Sequence, residues 1–184
     1  MIEYKIGQAT ALEELFVRYK KPIFNYSLRL LRNRADAEDA VAEAFYTLSA
    51  KKETYKDGYT FSTWFYTITH NICVDRLRKK KNIISLFFKC DKDSAGYEEL
   101  VIPDPRPDSR EQAHTRERAA RIQAAINRLP LPLREAIILR EYQSLPYEEI
   151  ANVMNCSLAR VKVLIFRARE KLKNSLAALI AEAQ

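Results

Sequence analysis

The chain predicts an all-α protein of two small helical domains joined by a flexible linker, and three observations lead there. Its 184 residues include only three glycines, Gly7, Gly58 and Gly96, each near a terminus or in a connection, so long stretches are free of the weakest helix formers. Apolar residues recur at steps of three and four through most of the sequence. One stretch, 83–112, breaks that period with Pro103, Pro105 and Pro107, which cannot continue a helix and favour extended backbone. The domains are then 1–82 and 113–184, with the linker between them.

In the first domain, Leu12, Leu15, Phe16, Tyr19, Ile23 and Leu30 repeat at helical spacing between Ala9 and Arg32. Pro22 falls inside that pattern and marks an expected kink or restart. Asp36 can cap the next helix, whose inward stripe is Ala37, Val41, Ala44, Phe45 and Leu48 and whose other face is acidic. After the turn-like "KKETYKDGYT" comes a third stripe, Phe61, Trp64, Phe65, Ile68 and Ile72, on a helix that runs out into "RLRKKK". Three such helices suffice for one bundle.

The linker begins basic and apolar and then turns acidic, through Asp91, Asp93, Glu98, Glu99, Asp104, Asp108 and Glu111, a reversal of sign against the rest of the chain. Beyond it, Ser109 and Gln112 fit a capping box, and Ala119, Ile122, Ala125, Ile126 and Leu129 give a helix that "LPLP" ends. A second runs from Leu133 to about Tyr142. Pro146 suits the first position of a third, "PYEEIANVM", because its missing N–H would be unpaired there anyway. Asn155 tolerates the left-handed conformation that closes a helix, and Ser157 can cap the following one. Two helices joined by "NCS" form a helix-turn-helix candidate.

The net charge of +7 and a pI near 9.3 point to a polyanionic partner, nucleic acid before a membrane surface, because phosphate neutralisation releases counterions. No run approaches the ~20 apolar residues that span a bilayer, and "MIEYKIGQ" lacks a signal peptide's apolar segment, so a cytoplasmic protein is expected. Cys73, Cys90 and Cys156 make no metal-ligand spacing with His70 and His114 and read as reduced thiols. Without a phosphate loop or an evident catalytic set of carboxylates, neither an enzyme nor a cofactor is expected.

Three constellations carry the functional reading. On the last helix, Val161, Leu164, Ile165, Ala168 and Leu172 line one side, while Arg160, Lys162, Phe166, Arg167, Arg169 and Lys173 occupy the remainder. In a helix-turn-helix this second helix enters the major groove, which makes residues 159–167, Val163 among them, candidates for base contact. The alternative is a solvated basic face on a packing helix. On the third helix, Thr67, Asn71, Asp75 and Arg78 form a polar stripe opposite the aromatic one. Its amide and carboxylate offer donors and acceptors to an unpaired base, with a basic tail for phosphates, unless the stripe is simply solvated. On the second helix, Asp36, Asp39 and Glu43 are either a solvated face favoured by the helix dipole or an edge for a partner.

In their order these parts resemble an extracytoplasmic-function sigma factor of the sigma-70 family, the small bacterial group that retains only regions 2 and 4. "DAEDAVAEAFYTL" is similar to region 2.2, "FSTWFYTITHNICVDRLRKKK" to regions 2.3 and 2.4, and "RLPLPLREAIILREYQSLPYEEIANVMNCSLARVKVLIFRAREKL" to region 4. The resemblance implies that Asp36, Asp39, Glu43 and Phe45 bind the clamp helices of the largest RNA polymerase subunit. It implies that Asn71 and Asp75, with Arg78 and the loop from Lys56 to Tyr59, capture an unstacked base of the −10 promoter element. It further implies that Lys162, Val163, Phe166 and Arg167 read the −35 element, with Arg160 and Arg169 near phosphates. Core polymerase, including its flap, promoter DNA and an anti-sigma factor that holds the protein inactive, in some cases at the inner face of the membrane, are the implied partners of a monomer with no small-molecule substrate. The acidic linker would pass through polymerase channels otherwise filled by nucleic acid.

Some positions depart from the family. Ala159-Arg160-Val161-Lys162-Val163-Leu164 stands where Gly-Thr-Val-Lys-Ser-Arg is common, Pro146 where a capping serine is usual, and Asn155 where a turn glycine is usual. Two rivals are a stand-alone helix-turn-helix repressor or activator, which predicts tight DNA binding without polymerase and a paired half-site, and a polymerase-binding protein that reads no promoter. No coiled-coil seam favours the first.

Overall fold

The structure, a computed structural model, describes residues 9–55, 60–87 and 110–177. Helix α1 spans Ala9–Leu31, α2 Arg34–Ala50, α3 Phe61–Phe87, α4 Arg110–Asn127, α5 Leu131–Glu141, α6 Tyr147–Val153 and α7 Leu158–Ser175, with a single 3-10 turn at Lys52–Thr54. Among the described residues there is no strand. No helix among them is long and apolar enough to cross a membrane.

Pro22 does not end α1, which continues past it to Leu31. A proline removes one i to i−4 bond, and Ile23, Tyr26 and Leu30, all fully buried, seat the helix beyond it. Arg32 takes the left-handed conformation (φ 59°) and turns the chain, which leaves Asn33 extended at the head of α2. Asn33, rather than Asp36, is therefore the cap, its side chain accepting the Asp36 N–H at 2.9 Å. Asp36 falls in the first turn, where the helix dipole favours a carboxylate. Pro146 likewise sits just ahead of α6, one residue before the expected first position. Asn155 (φ 48°) closes the turn and the Ser157 side chain accepts the Arg160 N–H at 3.2 Å, both as the sequence predicts. Ser109, and with it the expected capping box, lies outside the described residues, as do the three linker prolines and Cys90. Both α3, ending at Phe87, and α4, starting at Arg110, reach into the stretch read as linker.

Helices α1, α2 and α3 form the front bundle around Phe45, Phe61, Phe65 and Tyr19. Phe45 and Phe61 lie 5.0 and 5.6 Å from the Phe65 ring, and Tyr19 lies 5.0 Å from Phe61. Edge and offset contacts of this kind contribute ~0.5–1.5 kcal/mol each beyond their buried area. In the back half α5 is the hub: every residue from Leu133 to Leu139 is buried, and α7 packs along it. A helix covered on all sides belongs at the centre of a core.

A flexible linker by itself leaves the separation of the two halves unfixed; in the structure they pack together. Helix α6 lies on α3 and α5 lies on α1, and the buried side chains of both halves form one continuous cluster.

Candidate nucleic-acid interface

On α7, Val161, Ile165 and Ala168 are at most 1 % exposed and fix the helix on the core. The opposite side carries Arg160, Lys162, Val163, Phe166 and Arg167, all exposed, Phe166 by 66 %. No salt bridge or side-chain hydrogen bond among the described residues engages Arg160, Lys162 or Arg167. Arg169 differs, since it bonds Glu141 on α5 at 2.7 Å, which ties α7 to the hub. The arrangement is a ridge of free cations and two apolar side chains on a rigid seat, able to enter a groove and meet guanine acceptors or thymine methyls.

On α3, Asn71 and Asp75 are exposed and line a cleft of about 470 Å³ with Glu43, Thr47 and Lys51 from the α2 side and Arg76 and Lys79 from α3. The polar stripe thus meets the acidic edge of α2 in one recess, a juxtaposition that sequence spacing did not disclose. Arg76 bonds Glu43 at 2.7 Å and lies 3.6 Å from Asp39, Lys80 bonds Asp36, and Arg78 bonds Asp75 at 2.8 Å. Exposed pairs of this type contribute only ~0.2–1 kcal/mol each, so an arriving partner can exchange them at small cost. Thr67 turns away from this cleft toward the helix-turn-helix. Phe45 is half-buried, its ring 4.8 Å from Phe16 and 5.0 Å from Phe65, while its neighbour Tyr46 is 75 % exposed. Lys56 and Tyr59 lie outside the described residues. No group of three or more His, Cys, Asp or Glu is placed to hold a metal ion among the described residues.

Sequence reasoning missed the polar groups between the halves. Thr60 and Thr63, at the start of α3, both donate their hydroxyls to Glu149 of α6, and Tyr66 donates to Gln143. Arg29 donates to Gln123 and stacks 3.8 Å over the Tyr142 ring. Arg134, buried in the hub, gives one guanidinium nitrogen to the Leu30 carbonyl at 3.4 Å and the other to the Asn127 carbonyl at 3.1 Å. Arg32 reaches the same Asn127 oxygen from the front half at 3.4 Å. Two arginines thereby join the carbonyl ends of α1 and α4, where positive charge is favoured.

Under these contacts lies a buried ionisable set. Burial pushes the Glu135 carboxyl up to about 7 against the opposing Arg134 charge, and its Oε1 is enclosed without a hydrogen-bond partner. Glu135 adds to the upward shifts of Tyr26 and of Cys73, which burial raises to about 12. His70, 3.2 Å from the Tyr26 hydroxyl, is lowered to about 4 by burial. The signal available in the sequence was the pair Arg134 and Glu135 inside "LREAIIL", two charges in an otherwise apolar run.

Family models for sigma-70 region 2 and sigma-70 region 4 match residues 15–83 and 119–172. The chain is 32 % identical to the ECF RNA polymerase sigma factor SigW of Bacillus subtilis (strain 168), covering 95 % of this chain and 93 % of that one. It is 30 % identical to the RNA polymerase sigma-H factor of Pseudomonas aeruginosa, over 96 % and 92 %. In fold it is similar to the sigma factor RpoE of Bartonella quintana, solved with the anti-sigma factor NepR (TM-score 0.74, 21 % identity, 92 % of this chain and 98 % of that one). The fold is also similar to that of CnrH, solved with the cytosolic domain of CnrY (TM-score 0.66, 21 % identity, 94 % and 91 %).

Proposed function

The chain belongs to the extracytoplasmic-function sigma factors of the sigma-70 family, and on that premise we propose how its surfaces divide the work of promoter recognition. As an alternative sigma factor it binds core RNA polymerase and directs initiation at promoters with −35 and −10 elements. Residues 1–82 dock on the polymerase clamp through Asp36, Asp39, Glu43 and Phe45 and take the −10 element; 83–112 form the connecting segment; 113–184 read the −35 element. The family is not an enzyme class, and the polymerase performs the chemistry, in the cytoplasm.

The observation that carries this division is the contrast between a ridge and a recess. Lys162, Val163, Phe166 and Arg167 project from α7 as a duplex reader requires, with Arg160 and Arg169 toward phosphates. Asn71 and Asp75 border a cleft of a size to admit one base, Arg78 pairs with Asp75, and the family resemblance adds Lys56 and Tyr59, which lie outside the described residues. A base held there offsets part of the few kcal/mol that unstacking costs, which biases the strands toward opening. Each half alone binds promoter DNA weakly, and polymerase sets the spacing at which both act. We extend an anti-sigma partner to this chain because a protein similar to it in fold was solved bound to one.

Run-off transcription from genomic fragments with core polymerase, with and without the protein, tests the reading. Discrete start sites that require the protein are expected. Tight, paired-site DNA binding without polymerase, and no new starts, would establish the stand-alone regulator instead.

A further inference from the structure

We propose that an apolar groove between α4, α5 and α7 is the seat of the chain's own residues 178–184, which brace α7 from the side away from its ridge. The docking rests on the groove and the sequence; only its effect on −35 reading rests on the sigma-factor reading. Ile122 and Ile126 of α4, Ile137 of α5, Tyr142 just beyond it, and Leu172 and Leu176 at the end of α7 line a groove of about 330 Å³. At its edge Arg169 and Glu141 bond each other. Away from the ridge, the large apolar side chains that the back half exposes among its described residues are Ile122 and Tyr142, by 40 % and 38 %, and both border this groove. Apolar exposure gathered in one concavity marks a docking site, unlike apolar residues scattered singly.

Three observations point to the segment that follows α7, which lies outside the described residues. The apolar period does not stop where the helix does. Helix α7 ends at Ser175 with Leu176 as its cap, yet Leu179, Ile180 and Ala183 continue the spacing of Leu164, Ala168, Leu172 and Leu176. Position agrees with period, because Leu176 is both a wall of the groove and the residue at which the chain leaves α7. Leu179 and Ile180 are therefore within about 6 Å of that wall as helix and about 14 Å fully extended. So short a tether presents the segment at an effective concentration on the order of millimolar, ahead of a free partner. Charge agrees as well. Lys173 at the groove and Arg118, one turn before Ile122, engage no ion pair or hydrogen bond among the described residues, and the one charged residue in 178–184 is Glu182. Leu179 and Ile180 fill the apolar floor and Glu182 faces the basic rim. The ridge of Lys162, Phe166 and Arg167, on the other side of α7, stays open to DNA.

Photo-crosslinking on the full chain tests the seat. With Ala183 replaced by the photoreactive p-benzoylphenylalanine, irradiation should link the segment within one molecule to peptides holding Ile122 and Ile126 or Ile137 and Tyr142. Ile122→Asp, or the pair L179D/I180D, should cut that yield several-fold, whereas A178D/A181D, of equal charge but off the stripe, should not. Circular dichroism checks that the variants keep their helix content. L179D/I180D should also weaken −35 protection by holoenzyme several-fold, and L179M/I180M, which stays apolar, should keep it near wild type. Crosslinks that form only between molecules and rise with concentration would assign the groove to a second copy and overturn the proposal. Links elsewhere on the chain, or a yield unaltered by Ile122→Asp, would overturn it too, and a crosslink whose loss left −35 protection unchanged would overturn the bracing of α7. If wild type supported no start site in run-off transcription, the sigma-factor reading would fall while the crosslink stood; a missing crosslink would remove the seat and leave the start sites.

Discussion

The two reading surfaces are built in opposite ways. In the back half, Arg160, Lys162 and Arg167 stand on the open side of a helix whose other side, Val161, Ile165 and Ala168, is sealed in the core. In the front half, Asn71 and Asp75 border a recess whose charges are already paired, Asp75 with Arg78 and Glu43 with Arg76. A duplex keeps its base edges at the bottom of a groove, so its reader must protrude and stay rigid. A base that has left the stack brings its edge with it, so its reader must be hollow and its polar groups exchangeable. The difference teaches where each half is vulnerable: the ridge through its seat, the recess through the groups on its rim.

The largest effect should come from the seat. Ile165→Ala removes a side chain that is 1 % exposed and should cost about 2–5 kcal/mol of stability, with loss of −35 protection in footprints while polymerase binding by the front half persists. An equal loss of polymerase binding would break the comparison by showing that the halves fold as one unit.

Next in size is the proton linkage across the seam between the halves. Glu135, facing Tyr26 on α1 and Cys73 on α3 with Arg134 beside it, is raised by burial from its ordinary 4.5 to about 7. The folded state therefore holds this proton more tightly than the unfolded chain. The stability it contributes is fully present below the ordinary value and is lost as pH rises through about 7, by an amount on the order of a few kcal/mol. His70 acts on the acid side: the native structure needs it neutral, and its contribution is lost as pH falls from 6.5 to about 4. Scattering between pH 5 and 8.5 should show wild type loosening as pH rises, and Glu135→Gln should remove that alkaline limb alone. Identical profiles would detach Glu135 from the seam.

Smaller again are the ridge contacts. Lys162→Ala or Arg167→Ala should cost about 1–3 kcal/mol on the matched −35 sequence and much less on a scrambled one, read by competition binding of the polymerase holoenzyme. Equal losses on both would reassign these residues to phosphates. The smallest stability change belongs to the acidic edge. Asp39→Lys breaks a 3.6 Å contact with Arg76 and should shift stability by under ~1 kcal/mol, while assembly with polymerase weakens measurably. Unchanged assembly would remove the edge from the docking surface.

Much of this was legible in the sequence, for reasons that are local. The α7 ridge follows from helical period, the Ser157 cap from its side chain, and the turn at Asn155 from the few residues that accept a positive φ. Asn33 displaced Asp36 as a cap because both are competent and only the turn at Arg32 decides between them. The cleft that joins Asn71 to Glu43, and the contacts of Glu149, Arg134 and Arg29 across the seam, are long-range pairings between helices, which no periodicity encodes. The buried pair Arg134 and Glu135 did interrupt an apolar run, but the partners of two buried charges cannot be read from the charges themselves.

The central claim is that one protein reads a promoter by two different physical means, and Asn71→Ala tests it most directly. With holoenzyme on a promoter that this protein serves, permanganate reactivity of −10 thymines and protection of the −35 element are followed in the same reaction. The account predicts that reactivity at −10 falls strongly while −35 protection stays within about twofold of wild type, an energy difference below ~0.5 kcal/mol. Undiminished −10 reactivity, or a parallel loss at both elements, would contradict it.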